Sequence, residues 1–172
     1  MIGKFAVSMA FALAVTSAAA REEKLNDAQI AHVAYTAGNI DINAAKLALA
    51  KSHDGTVRGF AEEMVRDHTA VNDKALALVK KLGVTPENNL VSKSLTEGAD
   101  KKKAELDKLS GAAFDKAYID NEVAYHRTVN GALSTTLIPN SKNPELKQLL
   151  QSGLKLFEEH QHHAEMLAKD EH

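Results

Sequence analysis

The sequence predicts an all-α fold: an antiparallel four-helix bundle with one extra connecting helix. Three observations predict it. Apolar residues recur at steps of three and four through four long stretches, the period of a helix that buries one face. All three prolines fall between those stretches, where a missing N–H does the least harm. The period-two alternation of a half-buried strand is nowhere to be found.

The first helix is expected over about 27–52, capped by Asn26 or Asp27, with a stripe at Ile30, Val33, Ala37, Ile40, Ala44 and Leu47. Ser52-His53-Asp54-Gly55 makes a turn and offers Asp54 as the next N-cap. The second helix then runs to Leu82 with Val57, Ala61, Met64, His68, Val71, Ala75 and Leu78 in phase, and Gly83 followed by Pro86 stops it. A more polar helix over about 89–109 carries Lys101-Lys102-Lys103, which reads as a solvated face, and Ser110-Gly111 breaks it. The fourth, about 112–137, aligns Ile119, Glu122, His126, Val129, Leu133 and Leu137. Asn143-Pro144 starts the last, where Leu146, Leu149, Gly153, Phe157, His160, Ala164 and Leu167 are in phase. Turns are short within each pair of long helices, and the long connection lies between the pairs.

The chain opens MIGKFAVSMAFALAVTSAAA: one Lys, a short apolar run and an Ala-rich end. That pattern predicts a secretory signal peptide over 1–20, cleaved after Ala20, with residues 21–172 as a single domain, periplasmic or secreted. The apolar run is too short to span a bilayer as a mature helix, and no later segment qualifies, so a membrane-spanning protein is not expected. With no cysteine in the chain, disulfides, iron–sulfur clusters and a thiol nucleophile are excluded. A net charge of −2 with both signs interspersed gives nucleic acid no basic surface to bind. Phosphate-binding loops, dinucleotide fingerprints, His-Glu-x-x-His helices and Gly-x-Ser-x-Gly elbows are absent, so hydrolase and nucleotide-binding readings lack a foothold. A peroxide-consuming redox bundle is a further alternative, which needs two carboxylate-bridged metals.

Three histidines, His68, His126 and His160, stand in apolar stripes of three different helices. A polar imidazole there costs solvation unless a hydrogen bond or a metal satisfies it. Glu122 lies one turn before His126 on the same face. Asp41 sits next to the stripe of the first helix, at a height in its hairpin similar to that of His68. Together these five residues make a candidate site for copper, zinc, iron or manganese, and Met64 adds a soft option for copper. The competing interpretation gives each imidazole an ordinary carbonyl or carboxylate partner. Asp67 points about 100° away from His68 and is not expected to share its ligand role. Counting from the turns leaves His126 and His160 up to a turn out of register. Glu159 and His162 have Glu-x-x-His spacing, and the run through His163 together with His172 is a second, superficial way to bind ions.

The segments Ala61-Glu62-Glu63-Met64-Val65-Arg66-Asp67-His68 with Asn72, Phe114-Asp115-Lys116-Ala117-Tyr118 leading to His126, and Glu159-His160 with Ala164 resemble the bacterial domain-of-unknown-function 4142 family. The resemblance runs from about residue 27 to 168. It implies a ferritin-like helical bundle, an exported location and a metal or stress role, without an established reaction. The family's recurrent histidines match His68, His126 and His160. Its first-helix acid, typically Glu, matches the shorter Asp41, and Tyr125 stands where members often carry Asp, with Glu122 one turn back. The paired Glu-x-x-His motifs of a di-iron ferritin are missing, which argues against iron storage or ferroxidase chemistry. The functions that follow are metal binding or envelope stress protection or, alternatively, a non-catalytic structural module presenting a surface to an envelope partner or a second copy.

Overall fold

A computed structural model describes residues 24–170, and the leader and His172 lie outside them. The described residues form five long helices: α1 (Asp27–Lys51), α2 (Gly55–Leu82), α3 (Leu90–Leu106), α4 (Gly111–Ala132) and α5 (Pro144–Asp170). No strand occurs among the described residues. Asn26 caps α1 through the Gln29 amide in a capping box, Asp54 caps α2 on the Thr56 and Val57 amides, and Asn89 caps α3. Gly83 ends α2 at φ 64°, a left-handed backbone that favours glycine.

The chain direction follows from contacts at the two ends. At one end the Asp27 carboxylate accepts from the Lys142 and Asn143 amides, joining the start of α1 to the start of α5. At the other, the Lys51 ammonium lies over the Phe114 ring and donates to the Leu106 and Asp107 carbonyls. Within the four-helix bundle α1, α2, α4 and α5 therefore run antiparallel to the helices beside them, and α3 runs parallel to α1 along its outside, carrying the chain to the Lys51 end where α4 begins. The Lys101-Lys102-Lys103 face is exposed, as its charge requires.

Two departures from the expected pattern have physical causes. On α1 the buried line passes through Asp41, Ala45 and Ala48, while Ile40, Ala44 and Leu47 are half-buried. A 3.6-residue helix drifts away from a strict 3.5 repeat, and that flank packs beside α3. The fourth helix is α-helical only to Ala132, then widens into a π-helical segment (Leu133–Leu137) and a last turn (Ile138–Asn140). The Ser134 and Thr135 hydroxyls donate to the Gly131 carbonyl at 3.0 and 2.7 Å, competing with the backbone ladder.

The core has two apolar clusters with a polar layer between them. One gathers Ala45, Ala48, Phe60, Met64, Phe114, Tyr118, Ile119 and Ala164; the other gathers Ile30, Val33, Leu133, Leu137, Leu146, Leu150 and Phe157. Along every long helix of the bundle the candidate residues lie between these groups. Met64 belongs to the first cluster and serves as core packing.

Candidate metal centre

Asp41 of α1, His68 of α2, Glu122 and His126 of α4 and His160 of α5 meet in the polar layer, each at most 3% exposed. The three imidazole centroids form a nearly equilateral triangle with sides of 5.6, 5.4 and 5.6 Å. No register mismatch separates His126 from His160. The Asp41 Oδ2 atom lies 3.5 Å from His68 Nε2 and 3.6 Å from His126 Nε2. Ligand atoms from His68, His126 and His160 lie within 4.8 Å of one another, and those from Asp41, Glu122 and His126 do the same, so His126 joins two overlapping triads.

Two of the rings are oriented by groups behind them. His126 Nδ1–H donates to the Glu122 carbonyl oxygen at 3.0 Å, which leaves the Nε2 lone pair facing Asp41. His160 Nε2–H donates to Asp67 Oδ2 at 3.1 Å, and Asp67 is itself held by Arg66 Nε and Nη2 at 2.7 and 2.9 Å. The His160 Nδ1 atom is buried without a partner. Such outer hydrogen bonds fix the tautomer and aim of a metal-ligating histidine. His68 is positioned differently: it stacks on Phe157 with centroids 4.4 Å apart and planes 9° from parallel.

Seven buried polar atoms here have no hydrogen-bond partner: both Asp41 oxygens, both His68 nitrogens, Glu122 Oε2, His126 Nε2 and His160 Nδ1. Each unmatched buried group costs about 1–3 kcal/mol. A proton shared between Asp41 and Glu122 relieves that pair, but the imidazole nitrogens still weigh against the fold unless something binds there. Neutral imidazole nitrogens with carboxylate oxygens suit copper, zinc, iron or manganese.

The protonation states fit that donor role. Burial pushes the Asp41 carboxyl up to about 7, and burial with the nearby Asp41 charge raises Glu122 well above its ordinary range. Two carboxylates this close cannot both ionise cheaply in a dry interior, so the pair retains a proton at neutral pH. Burial, helped by repulsion from the neighbouring rings, depresses His68 well below 6.5 and His126 to about 4. His160 is lowered by burial against the opposing pull of Asp67. All three rings are therefore neutral with free lone pairs at pH 7. Beside them, Tyr125 donates to the Ala37 carbonyl at 2.9 Å and pins α4 to α1.

All five expected residues thus lie together. Glu159 and His162 are exposed, so their Glu-x-x-His spacing faces solvent. Sequence reasoning missed Asp67 and Phe157 as positioning groups. The signal for Asp67 was its 100° offset from His68, which turns it from that ring toward the neighbouring helix.

The DUF4142 family model, described as a domain of unknown function, matches residues 12–167. The chain belongs to the DUF4142 family. Among curated proteins none matches significantly. Two solved structures share the fold. A DUF305 protein from Streptomyces coelicolor is 10% identical at a TM-score of 0.69, over 83% of this chain and 91% of its own. CopM, solved in its Cu(II)-bound form, is 12% identical at a TM-score of 0.66, over 87% of this chain and 99% of its own. At identity this low the likeness shows the helical fold alone. No helix among the described residues is long and apolar enough to cross a membrane.

Proposed function

We propose that this DUF4142 protein is exported and binds one transition-metal ion between its helices, serving metal binding or protection of the cell envelope. His68, His126 and His160 supply nitrogen, Asp41 supplies oxygen, and Glu122 either ligates or balances charge. The observation that carries this reading is the convergence of seven partnerless buried donor atoms from four helices. Copper(II) is the foremost ion: it stands highest in the affinity order for nitrogen and oxygen donors, and the structurally similar CopM binds it. The residue 1–20 pattern supports export. With two ionised carboxylates and three neutral imidazoles, a divalent ion makes the buried layer electroneutral, which limits its desolvation cost.

Metal analysis of untagged protein tests this, with His68→Ala and His126→Ala as the variants. One ion per chain is expected in the parent and loss of it in both variants. A specific site also raises the melting temperature, because ion at a hundredfold excess over Kd adds about 2.7 kcal/mol. Equal, sub-stoichiometric metal in all three proteins would discard the proposal and leave the structural module, with ions held only by surface histidines such as His162.

A further inference from the structure

We propose that Glu63, Asp67 and His163 form an outer cation station on the α2–α5 seam, through which a divalent ion reaches the interior cluster past His160. This rests on the interior site proposed above and adds a route to it. Glu63, Asp67 and His160 bring ligand atoms within 4.8 Å of one another, and His163 Nδ1 lies 2.8 Å from Glu63 Oε2. The side chains of Glu63, Asp67 and His163 are 30%, 17% and 39% exposed, so water reaches them, whereas His160 is buried.

The His160 ring belongs to both sides. Its Nε2 faces Asp67, its Nδ1 is buried without a partner, and the ring brings a ligand nitrogen within 4.8 Å of those of His68 and His126. The outer carboxylates already hold a positive charge: Arg66 forks onto Asp67, and its Nη2 lies 3.9 Å from Glu63 Oε1. Arg66 is two-thirds exposed and free to swing away when a dication competes for those oxygens.

The alternative approaches are poorer. A chamber of about 260 Å³ also reaches His68 and His126, but Val33, Val71, Leu133 and Leu150 line it, and an apolar wall gives an ion nothing in exchange for its hydration shell. Tyr125 bonded to Ala37 closes the α1–α4 seam.

Stopped-flow loading of the full untagged chain with Cu(II) tests the route, with equilibrium dialysis run in parallel. Glu63→Gln and His163→Gln are each expected to slow loading, by about tenfold for the charge-removing variant, while one interior ion is still bound at equilibrium. Arg66→Gln is expected to load faster. In His126→Ala, which removes an interior ligand, a weak outer ion should persist and disappear when Glu63→Gln is added. Loading of Glu63→Gln at the parental rate, or slower loading by Arg66→Gln, overturns the entry role. A residual ion in His126→Ala that survives Glu63→Gln overturns the outer station. If His126→Ala binds as the parent does, the interior reading fails, and the outer station is then judged on Glu63→Gln alone.

Discussion

Metal uptake should expel protons from the carboxyl pair, and the amount separates the interior site from the superficial histidines. At pH 7 the Asp41 carboxyl, raised to about 7, is half protonated, and burial with the Asp41 charge raises Glu122 as well. A bound dication replaces that charge balance, so both carboxyls ionise: Asp41 gives up about half a proton at pH 7, and the raised Glu122 carboxyl adds to it. Near pH 8 Asp41 contributes only about 0.1, so any larger release there comes from Glu122, which burial and the Asp41 charge raise. An exposed imidazole with an ordinary pKa near 6.5 releases about a quarter of a proton at pH 7 and about 0.03 at pH 8. Three such rings thus release about 0.1 proton at pH 8, so a clearly larger release there points to the buried pair. Calorimetric titration with Zn(II) in two buffers of different ionisation enthalpy reads the number directly. Glu122→Gln should remove most of the pH 8 release. Release below about 0.2 proton at pH 8 in the parent, or full release in Glu122→Gln, would refute the reasoning.

The same groups set the pH dependence of the metal-free fold. The histidines have depressed folded pKa values, so the unfolded chain binds more protons between about 4 and 6.5, and stability falls as pH drops through that window. The raised carboxyls act in the opposite sense: the folded chain holds more protons, and their stabilising contribution is lost as pH rises through about 7. Above pH 6.5 only the carboxyls act, so thermal melts of apoprotein should show Tm falling from pH 6.5 to 8. Asp41→Asn should flatten that fall. Asp67→Ala removes the acceptor that orients His160, and competition titration should show affinity lowered about 10- to 100-fold at unchanged stoichiometry. At Gly38 a Cβ would overlap the Asn72 side-chain amide, which bonds Asn39 Oδ1 at 3.2 Å. Gly38→Ala should cost about 1–3 kcal/mol in denaturant unfolding, and Asn72→Ala in the same chain should recover much of it.

Much of this molecule is written locally. Asp54 and Asn89 cap the helices they precede, Gly83 stops α2, Pro86 lies in the break after it and Pro144 starts α5, because each acts through its own backbone within a few residues. The histidines could be picked out because a lone polar residue in an apolar stripe is visible at helical spacing. The first-helix stripe was legible only in its first half: whether Ile40 or Asp41 faces inward depends on where α3 lies, and nothing local encodes that.

The sequence by itself therefore determined five helices, their ends and the candidate donors Asp41, His68, Glu122, His126 and His160. Only the tertiary structure decided that these donors share one layer, that His160 turns Nε2 outward to Asp67, and that His68 lies flat on Phe157. The reason is physical. Periodicity fixes the angle of a side chain about its own axis, whereas height and ring orientation depend on how four separate helices slide and pack against one another.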